Sequence, residues 1–298
     1  MIHLIFNPNC GGGRARQVMR ELEPHLARLH PGHQVHTTTG PGDAIRMAGE
    51  AARAGASCVV AVGGDGTLHE VVNGVLNASE TPPPVALIPG GRGSDFARGM
   101  GIPKDPLKAL ALLSAAPVPV DVGRVTLPGS SRYFVNIADA GLGGFCVELA
   151  NRWRLPVSGA VTYLAASLWA LLTYSGSAMR LTWDDKPENA LEGRFLLVAV
   201  ANSSHFGGGM HIAPGATPTD GVLDVVAIQE IGLLKLMGLA PGLYGGTIRE
   251  NRWVKSFRCK SLKVESAEQV PLDLDGELAH GNPAHFEVLP GRLPFLLP

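Results

Sequence analysis

At 298 residues the chain exceeds a typical single domain and suits about two, each with its own core. With 25 Lys plus Arg against 26 Asp plus Glu it carries no global basic field of the kind that draws a protein to nucleic acid, so any membrane contact must be local. A hydrophobic content of 45% and a charged content of 17% describe a globular protein, and four cysteines (10, 58, 146 and 259) without Cys-x-x-Cys spacing read as free thiols of a reducing cytoplasm.

Ile2 to Phe6 reads as a first strand; its apolar run is too short, and lacks the basic start, for a signal peptide. Asn7-Pro8-Asn9-Cys10-Gly11-Gly12-Gly13 follows as a turn. It opens a helix with Ala15, Val18, Met19, Leu22, Leu26 and Leu29 at helical spacing, which Pro24 is expected to kink or break. Gln34 to Thr39 reads as a strand and Gly42 to Ala54 as a helix. Cys58 to Val62 is a buried strand that runs into Gly63-Gly64-Asp65-Gly66-Thr67, where glycines let the backbone approach a ligand without a Cβ in the way. After Thr67, residues Leu68, Val71, Val72, Val75 and Leu76 share one helical face. The loop therefore lies at a helix N-terminus, whose unpaired N–H groups and positive dipole end favour an anion. Asp65 beside bound phosphates implies a divalent cation between them, so a nucleotide with Mg²⁺ is expected; the plain alternative is a tight structural turn.

Val85 to Ile88 is the next strand, leading into Pro89-Gly90-Gly91-Arg92-Gly93-Ser94-Asp95-Phe96-Ala97-Arg98. Strands alternating with helices predict a parallel sheet covered on both faces, with ligands at the carboxyl ends of its strands. The loops starting at Asn7, Gly63 and Pro89 all fall at such ends and are expected to converge. After a helix over Pro106 to Ser114, Val118 to Gly123 reads as a strand leaving this domain. The boundary is placed there, giving 1–123 as an α/β nucleotide-binding domain and 124–298 as a β-rich domain whose last strand packs back on the first. Tyr133 to Ile137, Phe195 to Ala201, Val222 to Ile228, Ser261 to Val264 and His285 to Leu289 are strand-like, with long glycine-rich connections, as in a mainly antiparallel sheet with inserted helices.

From Leu155 to Met179 there is no charged residue, but Pro156, Gly159 and Gly176 interrupt the stretch, and its apolar centre, Ala160 to Leu172, is too short to span a bilayer. Val161, Leu164, Ala165, Leu168, Leu171 and Leu172 repeat at helical spacing. A buried or half-buried helix is expected, and the sharper alternative is a surface that touches lipid, including Trp153 and Trp169. His205 and His211 read as loop histidines. The cluster Arg249, Arg252, Lys255, Arg258, Lys260 and Lys263 reads as a solvated face, with anionic headgroups as its alternative.

Taken together, several motifs resemble the diacylglycerol kinase catalytic family, which includes sphingosine kinases and bacterial relatives. Asn7-Pro8 with the following glycines, Gly63 to Thr67 and Pro89 to Ala97 resemble its nucleotide loops, with Arg92 and Ser94 where the family commonly has Thr and Asn. Ala201-Asn202, Gly207-Gly208-Gly209-Met210, Ala213-Pro214, Asp220-Gly221-x-Leu223-Asp224 and Asp275-Gly276-Glu277 are similar to family motifs in the same order. The resemblance spans nearly the whole chain. It implies an α/β domain with a parallel sheet, akin to NAD kinases and diacylglycerol kinases, followed by a mainly antiparallel β domain. It also implies a cytoplasmic, ATP- and Mg²⁺-dependent lipid kinase of phospholipid biosynthesis, working peripherally at the inner membrane face on a lipid hydroxyl, most simply diacylglycerol; a homodimer is compatible with this. By the same resemblance Asn7, Pro8, Thr39, Gly63, Gly64, Asp65, Gly66, Thr67, Glu70, Gly91, Arg92 and Gly93 hold ATP. Asp65 and Asp121 organise Mg²⁺, Asp275 is the general base with Glu277 in support, and Asp220 binds a structural Mg²⁺ with main-chain carbonyls near Thr217 and Val222. The bare residues also allow Asp275-Gly276 and Asp220-Gly221 to be turns. Rival readings are a soluble-substrate kinase of the same superfamily and a catalytically silent lipid-binding regulator.

Overall fold

The computed structural model describes residues 1–91, 94–153 and 159–298. The chain divides into two compact units, Met1–Val122 with Pro290–Pro298, and Gly123–Leu289.

In the first unit β1 (Ile2–Phe6), β2 (Gln34–Thr37), β3 (Cys58–Gly63) and β4 (Val85–Pro89) form a parallel sheet in the order β2-β1-β3-β4. Every residue of β3 is buried, as a strand covered on both faces requires. The cover comes from α1 (Arg14–Leu29), α2 (Asp43–Arg53), α3 (Asp65–Ala78), α4 (Asp95–Gly99) and α5 (Pro106–Ala111). From β1 the chain goes to one side for β2 and to the other for β3, so the topological switch point lies between the carboxyl ends of β1 and β3. Pro24 does not end α1, which runs from Arg14 to Leu29. Val18, Leu22 and Leu26 on one face are buried against Leu4, Val60 and Ile88, and their burial, roughly 1.5–3 kcal/mol each, offsets the hydrogen bond that proline removes. The end of the chain returns to this unit, where Phe295 pairs in parallel with Val85 and its ring lies 5.2 Å from that of Phe96.

The second unit starts within β5 (Val118–Leu127) and continues with β6 (Ser130–Phe134), β7 (Ile137–Gly141), α6 (Leu142–Arg152), α7 (Gly159–Thr173), β8 (Ser177–Trp183), β9 (Ala190–Ala201) and β10 (Leu223–Gln229). Then come α8 (Leu233–Met237), α9 (Ala240–Gly245), β11 (Val254–Cys259), β12 (Ser261–Glu265), β13 (Pro271–Leu274), β14 (Glu277–His280) and β15 (Ala284–Phe295). Its strand pairs are antiparallel. The amino-terminal part of β9 pairs with β8, while its carboxyl-terminal part lies between β7 and β10, and a core including Phe134, Phe195, Val200, Leu262 and Phe286 fills the space they enclose.

Two expectations are corrected here. Tyr133 to Ile137 is not one strand: β6 ends at Phe134 and β7 begins at Ile137, because the N–H groups of Val135, Asn136 and Ile137 turn to the Asp275 carboxylate. The helix at Ala160 to Leu172 exists as α7, but its large apolar stripe faces outward. Thr162, Ala166 and Ala170 are buried, the alanines against Cys146 and Leu149 of α6, whereas Val161, Leu164, Leu168, Trp169 and Leu172 are each more than half exposed. Small residues let α7 approach α6 closely and leave the large ones on the other side. Among the described residues no helix is long and apolar enough to cross a membrane.

Candidate functional site

The three glycine-bearing loops of the first unit are locked to one another by backbone geometry. Asn7 ends β1, its N–H donating to Val62 O (3.0 Å) and its side-chain amide to Thr67 Oγ1 (3.2 Å). Gly90 N donates to Gly63 O at 2.7 Å, tying the third loop to the second. Gly11, at φ +62°, closes the triangle: a Cβ there would stand 2.8 Å from Gly90 O and 3.0 Å from Gly91 Cα. Pro8 is buried in the turn between Asn7 and these glycines. A Cβ on Gly63 would meet Thr67 Oγ1 at 2.4 Å, so the turn into α3 has no room for a side chain. The first turn of α3, from its cap Gly64 through Asp65, Gly66 and Thr67, thus presents its N–H groups at the switch point in a cradle that suits a phosphate.

Asp65 does something the sequence did not disclose. Its carboxylate accepts Ser94 Oγ–H (2.8 Å), Asp95 N–H (2.9 Å) and Phe96 N–H (3.3 Å), holding the start of α4, while Ser94 Oγ also accepts Ala97 N–H as the helix cap. Serine in place of the family asparagine therefore keeps a capping oxygen. Burial, opposed by these donors, raises the Asp65 carboxyl above its usual range, and burial and Asp65 together raise the neighbouring Cys10 thiol. Asp121 is buried in β5 and accepts Gly291 N–H at 2.7 Å. With several donors already on Asp65, these carboxylates fit a Mg²⁺ held through water and bound phosphates rather than by direct ligation.

Thr39 donates through both its N–H (2.8 Å) and its hydroxyl (2.6 Å) to Asp43, whose carboxyl is lowered chiefly by that hydroxyl. Glu70 reaches from α3 to accept the N–H groups of Gly42 (2.9 Å) and Ala44 (3.0 Å), so it fixes the start of α2 and brings the Thr39 loop to α3. Arg92 and Gly93 lie outside the described residues.

In the second unit Asp275-Gly276 is the two-residue turn between β13 and β14, with φ of 54° and 97°, the geometry for which Asp-Gly is preferred. The Asp275 carboxylate is buried and accepts the N–H groups of Val135 (2.8 Å), Asn136 (3.0 Å) and Ile137 (3.0 Å). From the other side, Asn202 and Ser203 donate their N–H groups to Asn136 O, and the Asn136 amide donates to His205 O, so three motifs distant in sequence meet on residues 135–137. Asn136 Oδ1 and Ser203 Oγ are buried without a hydrogen-bond partner among the described residues, marking a polar spot beside Asp275. Glu277 opens β14 and is exposed. The rings of His205 and His211 stack at 4.2 Å.

Two further carboxylates escaped the sequence reading. Asp139 on β7 and Asp273 on β13 are cross-strand partners, both buried. Gly144 N donates to Asp139 Oδ1 (3.2 Å), and Gly276 N, within the Asp275 turn, donates to Asp273 Oδ1 (2.6 Å). Gly143 and Gly144 let α6 lie on this pair: a Cβ on Gly143 would stand 2.0 Å from Asp139 Oδ2. Burial pushes the Asp139 carboxyl up to about 7, and burial plus Asp139 raise that of Asp273. The lone acid within the apolar run of β7 could have signalled a buried carboxylate, but nothing in the sequence marks its partner.

The expected structural ion site is a closed turn. Asp220 accepts Val222 N–H (3.3 Å) and pairs with the Arg258 guanidinium (3.1 Å), while Thr217 Oγ1 meets Thr219 Oγ1 at 3.1 Å. A divalent ion held by Asp220 and main-chain carbonyls would therefore have to compete with the Arg258 guanidinium for that carboxylate.

Comparison with known proteins agrees with both units. Residues 1–125 match the diacylglycerol kinase catalytic domain, and residues 136–297 match the YegS C-terminal NAD kinase beta sandwich-like domain. The chain is 35% identical over 268 residues to a Pseudomonas aeruginosa protein named as a probable YegS-like lipid kinase, covering 89% of this chain and 84% of that one. It is 32% identical over 280 residues to a Chromohalobacter salexigens protein of the same name, covering 92% and 85%. A crystal structure of a diacylglycerol kinase from Bacillus anthracis superposes with a TM-score of 0.75 at 25% identity, covering 100% of this chain and 96% of that one. With its loops at the switch point and its β unit both matched over almost their full length, the chain belongs to the family of YegS-like lipid kinases with a diacylglycerol kinase catalytic domain.

Proposed function

We propose that this kinase transfers the γ-phosphoryl group of ATP to the hydroxyl of diacylglycerol in a Mg²⁺-dependent reaction. The observation that carries the nucleotide half is the interlock of Gly11, Gly63 and Gly90 around the first turn of α3, which holds its backbone N–H groups where phosphates would sit. The Thr39 loop and Asn7 flank that turn. Mg²⁺, when bound, would neutralise charge on the β- and γ-phosphate oxygens, with Asp65 and Asp121 reached through water.

Support for a long-chain acceptor comes from α7, whose outward stripe of Val161, Leu164, Leu168, Trp169 and Leu172 carries no charge and offers an acyl chain a place to lie. Asp275, oriented by three backbone N–H groups, is the general base: it takes the hydroxyl proton as the new phosphorus–oxygen bond forms and the bond to the ADP leaving oxygen breaks. Labelled ATP offered with a panel of diacylglycerol, sphingoid base, phosphatidylglycerol and NAD tests this. Label in phosphatidic acid is the expected result. Label in NAD alone would move the protein to the soluble-substrate kinases, and transfer undiminished by chelator would remove Mg²⁺.

A further inference from the structure

The second unit has another apolar protrusion, built differently from α7. Leu234 is 87% exposed, Met237 64% and Leu233 39%, all on the single turn of α8, and Tyr244 of α9 is 65% exposed. From Ile231 to Ile248 the sequence contains no acidic residue and one base, Lys235. Such large apolar groups in water mark a surface meant to be covered.

What covers it is indicated by the charges around it. Of the basic cluster flagged in the sequence, Arg249 and Arg258 are engaged by Asp224 (2.5 and 3.2 Å) and Lys263 by Glu265 (2.6 Å). Two cations, Lys235 on α8 and Arg252, are arranged otherwise. Lys235 Nζ lies 4.7 Å and the Arg252 guanidinium carbon 4.6 Å from the centre of the Trp253 ring, so one indole holds both. Among the described residues neither pairs with a carboxylate. Two like charges gathered on one ring repel each other, and that repulsion is relieved when an anion comes to lie beside them. An indole between cations, beside protruding leucine and methionine, matches the layering of a bilayer surface, with acyl chains below and phosphate above.

We propose that α8, with Lys235, Arg252 and Trp253, is a docking surface for an anionic bilayer: Leu233, Leu234 and Met237 enter the acyl boundary while the two cations meet lipid phosphates. This rests on the lipid-kinase reading and names the surface by which the enzyme reaches its substrate. It is separate from α7, whose uncharged stripe offers nothing to a headgroup.

The test is flotation of the full-length protein, without nucleotide, on vesicles of phosphatidylcholine alone and of phosphatidylcholine with phosphatidylglycerol. The parent should float with the anionic vesicles, and salt should release it. Leu234→Ser with Met237→Ser should weaken that binding about tenfold or more, and Lys235→Ser with Arg252→Ser should abolish the preference for anionic over neutral vesicles. These side chains are exposed, so thermal melting should show both variants folded. Equal binding of the parent to the two vesicle types, or parent-like binding by either variant, overturns the proposal. Loss of a dimer in the Leu234→Ser, Met237→Ser protein by light scattering, with flotation intact, would instead make α8 an interface between copies. Phosphorylation of diacylglycerol dispersed in neutral detergent should be unchanged in both variants. Because flotation needs no catalysis, a failed docking surface and a failed kinase reading give different results.

Discussion

Residues near Asp275 carry two kinds of work, and substitution separates them. Asp275→Asn keeps one acceptor oxygen but turns the other into an N–H donor facing a backbone N–H such as that of Val135, so it should destabilise the protein by about 1–3 kcal/mol as well as reduce phosphoryl transfer by two or more orders of magnitude. Near-normal turnover by the folded fraction would remove Asp275 from the chemistry and leave it a pin for the β6–β7 break. The Asp139 carboxyl gives a second residue-scale prediction. Its folded value, about 7, lies above the unfolded value near 4, so the folded state holds a proton that the unfolded state has released. That contribution is fully present below about pH 4, falls by roughly 1.4 kcal/mol per pH unit between the two values, and is gone above about 7. Melting temperature measured across this range should fall less steeply in Asp139→Asn than in the parent; parallel profiles would show that Asp139 does not hold the proton. The two cases also show what a sequence discloses about residues. Asp275 was visible because Asp-Gly-Glu is a local string, and even the turn at Asp275-Gly276 was legible. The partnership of Asp139 with Asp273 depends on the register of β7 against β13, and no spacing along the chain encodes it.

Elements were legible where one period dominated and illegible where two surfaces competed. The strands β1, β3 and β4 of the first unit read correctly because burial demands an apolar run, and the loops at their ends read correctly because only glycine tolerates such close backbones. The convergence of those loops has a direct test. Gly11→Ala adds a Cβ 2.8 Å from Gly90 O at a positive φ, so it should weaken ATP binding by about tenfold while leaving α1 helical by circular dichroism. Unchanged affinity would mean the first loop does not shape the phosphate cradle. In the second unit the strands β8 and β11 went unseen, since their alternating polar residues look like loop, and α7 is half-buried with its large residues on the outer side. Large apolar residues at helical spacing normally mark the buried side, yet here Ala166 and Ala170 make the contact and the large residues remain outside. Trp169→Glu should therefore fold, raise the apparent KM for a long-chain diacylglycerol several-fold and leave KM for ATP alone. Loss of folding would return Trp169 to the core, and equal handling of short- and long-chain lipids would move the acyl site elsewhere. Its ring stands 6.3 Å from that of Trp153, so intrinsic fluorescence should report lipid at this helix as well.

At the scale of the molecule, the remaining question is whether its stability depends on a metal. With a near-neutral balance of charge, the chain suffers little long-range repulsion, and cohesion comes from the buried cores of each unit and from local pairs such as Asp220 with Arg258. A divalent ion at Asp220 would have to displace that guanidinium and also draw on main-chain oxygens near Thr217 and Val222. Free-energy linkage makes the alternative measurable: an ion bound to the folded state at 100 times its Kd adds about 2.7 kcal/mol, which for a protein of this size shifts Tm by several degrees. If Asp220 is satisfied by Arg258, EDTA should leave the Tm of the nucleotide-free protein unchanged, and Asp220→Ala should lower it by no more than the roughly 0–1 kcal/mol of a partly exposed ion pair with its turn hydrogen bond. Mg²⁺ should then raise Tm only when ATP is also present, because the ion is held by phosphates and water rather than by a protein cage. A drop of several degrees on adding EDTA to the nucleotide-free parent, absent in Asp220→Ala, would show instead that the turn binds a structural cation and that Arg258 yields to it.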